Sequence, residues 1–216
     1  MKKLIIYGTG LIAELADYYF ETDSEYEVVA FCNTRKFIEV DEFLGKPIVA
    51  FEEVEKLYPP EQYSMFIALG YLKTNKIREQ RFKDAKQKGY QLASYISSKA
   101  THFNTSFGDN CFILEHNVIQ PFVKIMDNVT LWSGNHIGHH STIGNNVFVA
   151  SHAVVSGCCK ILDNCFLGVN VTLRDNIVIG RSSVIGAGAT VMKSTDSYTL
   201  VTPMKSKSSA LTKDII

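Results

Sequence analysis

No apolar run in the sequence approaches the roughly 18 residues that a helix needs to cross a bilayer, which argues against a membrane-spanning chain. The short apolar stretch in MKKLIIYGTG stops at Gly8 and is followed by Glu14, too brief for a secretory leader. Charge of neither sign prevails: 22 Lys and Arg are balanced by 22 Asp and Glu among 216 residues. That balance leaves no electrostatic case for nucleic acid or an anionic membrane as a partner. The five cysteines are odd in number and without paired spacing, against a disulfide framework. These absences lead to a cytoplasmic location as the expectation. What is present suffices for one large domain or two small ones, with 46% hydrophobic residues to build a core.

The chain divides into two textures. Residues 1–96 alternate strand and helix patterns. KLIIYG, YEVVAFC, YSMFIALG and YQLASYI read as strands. LIAELADYYFE has helical spacing, with Leu11, Ile12, Leu15, Ala16 and Tyr19 on one face. TNKIREQRFKDAKQKG reads as a polar-faced helix capped by Thr74 and stopped at Gly89. Strands alternating with helices predict a parallel α/β sheet of Rossmann-like type.

From Phe107 the helix signals vanish and an aliphatic or aromatic residue returns every six positions. The series runs Phe107, Ile113, Ile119 and so on to Val191, fifteen hexads without an insertion. A six-residue period marks a parallel β-helix, here over 97–216. Three hexads make a coil, so residues 18 apart should stack. Four positions after each aliphatic stands a mostly small residue, among them Cys111, Ser141, Ala153, Cys159, Cys165, Ser183, Ala189 and Thr195. These must point inward, which makes Cys111, Cys159 and Cys165 small core residues rather than redox groups. Every third hexad places Asp109-Asn110, Asp127-Asn128, Asn145-Asn146 and Asp163-Asn164 at one corner, where Asn and Asp tolerate the left-handed conformation of tight turns.

The stretch WSGNHIGHHSTIGNN holds His136, His139 and His140. Stacking arithmetic puts His139 and His140 at a corner, with Pro121 and Phe122 one coil below and Gly157 one coil above. His116 and His152 belong to a different corner, around Gly134, and His136 to a flank; each reads as a polar side chain turned to solvent. No clear third ligand shares the corner and coil of His136 and His139, so no metal site is expected within one chain; one shared between subunits stays open. A bare glycine above His139 leaves a backbone amide and open space beside an imidazole. A base beside a backbone donor is what acyl transfer requires.

The hexads resemble the left-handed β-helix of the hexapeptide-repeat acyltransferases. With YGTGLIAE in front and GHHSTIG, FVASHAVVSG and FLGVNVTLRDNI behind, the chain is similar to the sialic acid O-acetyltransferase family, which includes bacterial nucleotide-amino-sugar N-acetyltransferases. The resemblance implies an acetyl-CoA-dependent acetyltransferase, a homotrimer with no metal, acting on a nucleotide-linked sugar. It makes His139 the general base and Gly157 the amide that stabilises the oxyanion. His140 stands where the family often has an acidic residue, which leaves N- against O-acetylation open. Phe148 stands where several relatives have a second histidine near the thioester. The implied acetyl-CoA positions are Gly157, Val169, Gly186 and Ala187, with Lys205 and Lys207 as candidates for CoA phosphates.

The glycine-rich loop after the first strand opens a helix, the right context for a phosphate. Ala13 replaces the third glycine of the dinucleotide fingerprint, and VVAFCNT ends without the acidic partner for an NAD ribose. By resemblance this loop holds the nucleotide sugar, through Gly8, Thr9, Gly10, Asn33, Thr34, Gly70 and Tyr71. Two other readings stay open, a sugar O-acetyltransferase and a non-catalytic nucleotide-sugar-binding scaffold. A transient acyl group on Cys158 is a minor variant of the amino-sugar acetyltransferase reading.

Overall fold

The computed structural model describes residues 1–204, so Lys205 and Lys207 lie outside the described residues. The α/β part forms as expected. Strands β1 (Lys2–Tyr7), β2 (Tyr26–Asn33), β3 (Glu42–Phe43), β4 (Lys46–Ala50) and β5 (Ser64–Ile67) make a sheet in the order β3-β4-β2-β1-β5. It is parallel except for the β3–β4 hairpin. Its turn places Leu44 and Gly45 at positive φ. The hairpin gave no sequence signal: β3 has two residues, and Pro47 obscures β4. Helices α1 (Leu11–Thr22), α2 (Val54–Leu57) and α3 (Lys76–Gln87) complete this part. Helix α1 buries Ala13, Ala16 and Phe20 against the sheet.

Two local expectations fail. Thr74 is not the cap of α3: Asn75 is, in a left-handed conformation, and its side chain reaches away from the helix. The segment 90–96 is not one strand of the α/β sheet. Leu92 makes a single bridge to Met65, while Tyr95–Ile96 pairs with Phe112–Ile113 as the first rung of the second part.

That second part is the expected left-handed parallel β-helix, a triangular prism of two-residue strands. The first face stacks Tyr95–Ile96, Phe112–Ile113, Thr130–Leu131, Phe148–Val149, Phe166–Leu167, Val184–Ile185 and Leu200–Val201. The second runs from Thr101–His102 to Thr190–Val191, and the third from Ser106–Phe107 to Val178–Ile179. Residues 18 apart pair from Ser106 and Lys124 through Thr172 and Thr190, as the arithmetic requires. A shorter step between His102 and Phe107 hid the first rung from the six-residue series. Of the small inward residues, Cys111, Ser141, Ala153, Cys159, Cys165 and Ser183 are fully buried. Burial pushes the Cys111 thiol up to about 12 and that of Cys165 up to about 11, so both stay protonated. Thr195 falls beyond the last regular rung and is half-buried, its hydroxyl accepting from the Gly180 N–H at 3.0 Å.

The asparagine corner joins third face to first. Asn110, Asn128, Asn146 and Asn164 all have φ between +54° and +63°. Their amides form a ladder, Asn110 to Asn128 and Asn128 to Asn146 at 2.8 Å each. The ladder ends on the α/β sheet, where Asn110 Oδ1 accepts from the Ile67 N–H at 2.7 Å. Helix α3 lies along the same corner. The buried Arg78 guanidinium donates to Thr130 Oγ1 (2.6 Å), Asn75 Oδ1 (3.1 Å) and the carbonyls of Asn146 (3.0 Å) and Val147 (3.3 Å). Phe20, Phe66, Tyr95 and Phe112 pack edge-on and tilted across the seam. The α/β part is thereby fixed to the first face of the prism.

Candidate active site

The corner between second and third faces carries His139 and His140, both exposed. Its tip is the column Asn104, Phe122, His140, Cys158, Asn176, all at positive φ. Asn suits that conformation; Phe does so only under strain. Unlike the asparagine corner, this one gives up turn comfort for the groups it presents. The His140 ring lies on Phe122, centroids 4.7 Å apart.

His139 is held from three sides. Its N–H donates to Gln120 Oε1 at 2.9 Å, its carbonyl accepts from the Cys158 N–H at 2.8 Å, and its Nδ1 lies 3.1 Å from His140 Nδ1. With one of the two Nδ1 atoms donating and the other accepting, the pair fixes the ring orientation and leaves His139 Nε2 unbonded among the described residues. The imidazole lies directly over Gly157: a Cβ there would stand 2.7 Å from Nε2 and 2.8 Å from Cε1. Only glycine admits the ring at this place. Among the described residues the Gly157 N–H has no protein acceptor, and its carbonyl accepts from Asn176 at 3.0 Å. An imidazole nitrogen and an unpartnered amide thus share one open corner. Gln120 escaped the sequence reading, although the same 18-residue arithmetic places it beneath Gly138.

The residues expected to hold the nucleotide sugar gather at the carboxyl ends of β1, β2 and β5, where open α/β sheets bind ligands. Gly8 is buried at φ +121°, and a Cβ would meet the Ala68 carbonyl at 2.9 Å. Gly10 caps α1 with no side-chain bond, so the first amides of the helix face outward. Asn33 Nδ2 donates to Thr9 Oγ1 at 3.1 Å, and Thr34 Oγ1 shares a 2.9 Å bond with the Tyr7 hydroxyl. Arg81 of α3 sits over the Tyr7 ring, 6.0 Å from its centroid, a cation near this crevice that the sequence reading did not single out.

Gly70 follows β5, and the ring of Tyr71 turns away from this group. Tyr71 reaches across to the prism and packs on Phe166 and Phe148, with centroids 4.4 and 5.1 Å away. Ile12, Tyr71, Trp132, Phe148, Phe166 and Val169 enclose a cleft of about 400 Å³, with Ala187 at its rim. Val169 and Ala187 are thus brought together at the corner between first and second faces. Gly186 is beside them, 3.0 Å from Pro203 by its missing Cβ. The structure does not bring His139 to this cleft within one chain: the corner of His139 is the prism edge opposite the first face. Among the described residues no three His, Cys, Asp or Glu side chains converge to hold a metal ion. Nor, among the described residues, is any helix long and apolar enough to cross a membrane.

Residues 122–157 and 158–193 match the bacterial transferase hexapeptide family, in two six-repeat units. The chain thus carries the hexapeptide repeat of bacterial transferases. Solved structures share the whole two-part fold. PerB of Caulobacter crescentus, in complex with CoA and GDP-perosamine, superimposes with a TM-score of 0.81 at 20% identity, over 92% of each chain. The acetyltransferase domain of PglB from Neisseria gonorrhoeae gives 0.79 at 22% identity, covering 90% of this chain and 93% of that one. WeeI from Acinetobacter baumannii gives 0.71 at 18% identity, covering 91% and 94%. The two-part fold is therefore shared with these structures over about nine-tenths of the chain.

Proposed function

We propose that the protein is an acetyl-CoA-dependent N-acetyltransferase of a nucleotide-linked amino sugar, acting in the cytoplasm as a homotrimer. The observation that carries this reading is the His139 imidazole lying against the free amide of Gly157 at an exposed corner. The sugar amine attacks the thioester carbonyl, the Gly157 N–H steadies the oxyanion that forms, and collapse expels CoA. His139 takes the proton from the amine and passes it to the departing sulfur, so the products are amide and free thiol. His140 holds the ring through the Nδ1 contact. Acetyl-CoA would lie along Gly157, Val169, Gly186 and Ala187. The nucleotide would lie at Gly8, Thr9, Gly10, Asn33 and Thr34, with its sugar passing Gly70 and Tyr71. The division expected between residues 96 and 97 is better placed just before Tyr95–Ile96, the strand that opens the prism. PerB bound to GDP-perosamine and CoA supports the pairing of ligands, and two variants of that enzyme with one histidine replaced support the attention given to a single base.

The geometry of the prism supports an assembly of several chains. A nucleotide sugar held against the first face cannot meet His139 on the opposite edge of its own chain. A cyclic assembly sets one surface of a chain against a different surface of the next, and can bring that edge to a neighbour's cleft. Thiol release from acetyl-CoA with a panel of UDP-, dTDP- and GDP-linked amino sugars tests the activity, and light scattering the assembly. A product stable to hydroxylamine is the amide; an ester would transfer the activity to a hydroxyl. No turnover with any acceptor, or a fully active monomer, would refute the proposal.

A further inference from the structure

The coil beneath the reacting corner is matched to it residue by residue. Gln120 Oε1 accepts from the His139 N–H at 2.9 Å, and the Pro121 carbonyl accepts from the His140 N–H at 3.3 Å. The Phe122 ring lies against the His140 ring, with 4.7 Å between centroids and 42° between planes. Gln120, Pro121 and Phe122 thus form a seat for the histidine pair. The third contact is one that the turn itself does not need. From Asn104 to Ser182 the positive-φ positions other than glycine hold Asn, His, Ser or Cys, with Phe122 the exception at φ +67°. A bulky side chain is strained in that conformation. Phe122 is also 57% exposed, so packing in the core does not explain its presence.

What the ring touches is the group that orients the base. His140 meets His139 edge to face, with centroids 5.3 Å apart and planes at 87°, and the two Nδ1 atoms are 3.1 Å apart. Both imidazoles are exposed. An exposed imidazole turns about two side-chain torsions, and one hydrogen bond leaves it other rotamers to visit. A ring lying against its face closes off those that swing downward. We propose that Phe122 is a positioning residue: it backs the His140 ring, and His140 through Nδ1 holds the His139 imidazole over Gly157. The inference rests on the function proposed above, in which His139 is the base. No step of the reaction changes. Phe122 raises the fraction of time for which the base stands in its reacting orientation.

The test is Phe122→Asn, which suits the turn and removes the ring, in the full chain. Thiol release from acetyl-CoA is followed with an amino-sugar acceptor that the wild type uses. An orientation held for about a tenth of the time lowers turnover about tenfold, so kcat should fall by about that factor. KM for both substrates should hold, and the melting temperature should match or exceed that of the wild type, since the strain is gone. Phe122→Tyr, which keeps the ring, should restore kcat. In His140→Ala the ring has nothing left to back, so adding Phe122→Asn should lower kcat no further. Unchanged kcat in Phe122→Asn would overturn the inference, as would losses that add in the double variant. So would a raised acceptor KM at full kcat, which makes the ring a wall of the substrate site. A smaller particle by light scattering, or a lowered melting temperature, would make Phe122 a subunit contact or a support of the fold, and overturn it equally. A wild type silent with every donor and acceptor would instead remove the function beneath the inference, and the inference with it.

Discussion

The close approach of His139 to Gly157 yields a direct test. In Gly157→Ala the new Cβ would stand 2.7 Å from His139 Nε2. Restoring an ordinary contact of about 3.6 Å moves the ring by about 0.9 Å. The atoms crowded by the methyl belong to the end of an exposed side chain, and Gly157 does not have positive φ, so the fold should absorb the change. A misplacement of about 1 Å in a reacting group costs about 10²-fold. The variant should therefore lose about 10²-fold in kcat with melting temperature close to wild type. Gly134→Ala is the matched control. Its Cβ meets His152, at 2.5 Å, and its φ is +78°, so it should lose stability and keep its kcat. Steady-state thiol release and calorimetry on both proteins decide the matter. Full turnover in Gly157→Ala would refute the placement of base and amide, as would a loss of stability like that of Gly134→Ala.

His139→Ala should lower kcat/KM by about 10²–10⁴-fold without unfolding the chain, and His140→Ala by less, since the latter removes an orienting contact; equal effects in steady-state assays would count against these roles. Arg78→Met strands Thr130 Oγ1 and the Asn146 carbonyl in the seam. It should cost about 2–4 kcal/mol, or about 5–15 °C in Tm, and an unchanged melting curve would remove Arg78 from the clamp. Acid should weaken the same seam. Burial raises the carboxyl of Asp23, but the Ser98 N–H and the Tyr95 hydroxyl outweigh it and hold it below its ordinary value. Glu115 is likewise lowered against its burial, by the hydroxyls of Ser133 and Tyr19. Both carboxylates bind protons less readily folded than unfolded, so their stabilisation is full above the ordinary carboxylate range and is lost as pH falls through it to the folded values. Melting temperature should drop below about pH 4, and Asp23→Asn with Glu115→Gln should flatten that drop.

The period of the chain carried most of the fold. The prism needs one inward aliphatic and one inward small residue per strand, and each rung repeats that demand, so Ile113 to Val191 and Cys111 to Ala189 announced the coil and its register. The ends did not follow the rule. The step from His102 to Phe107 is five residues, and the rung after Ile185 pairs with Val201, sixteen residues on. A fixed period cannot show where it is broken. Thr74 was misread as a cap for a related reason: cap rules describe a helix in water, whereas Asn75 spends its amide on the carbonyls of Asn164 and Cys165 in the prism wall. That demand comes from a surface some ninety residues away in the chain.

The candidate site divides along the same line. The neighbourhood of His139 and Gly157 was legible because it is a consequence of the coil: residues 18 apart stack whatever their identity. The grouping of Thr9, Asn33 and Thr34 was legible from strand ends and a glycine turn. Tyr71 was placed with that group by resemblance, and its ring stands instead against Phe148 and Phe166. No local pattern encodes this. It depends on how α3 lies on the first face, which Arg78 and Asn75 determine through acceptors that any sequence could supply, since they are largely backbone carbonyls. The aromatic cleft is thus a product of docking the two parts. Its chemistry is set by Phe148 and Phe166, outward residues that the repeat leaves free to vary. The repeat sets the stacking of His139 and Gly157, whereas the outward positions of the first face answer to the α/β part docked on them.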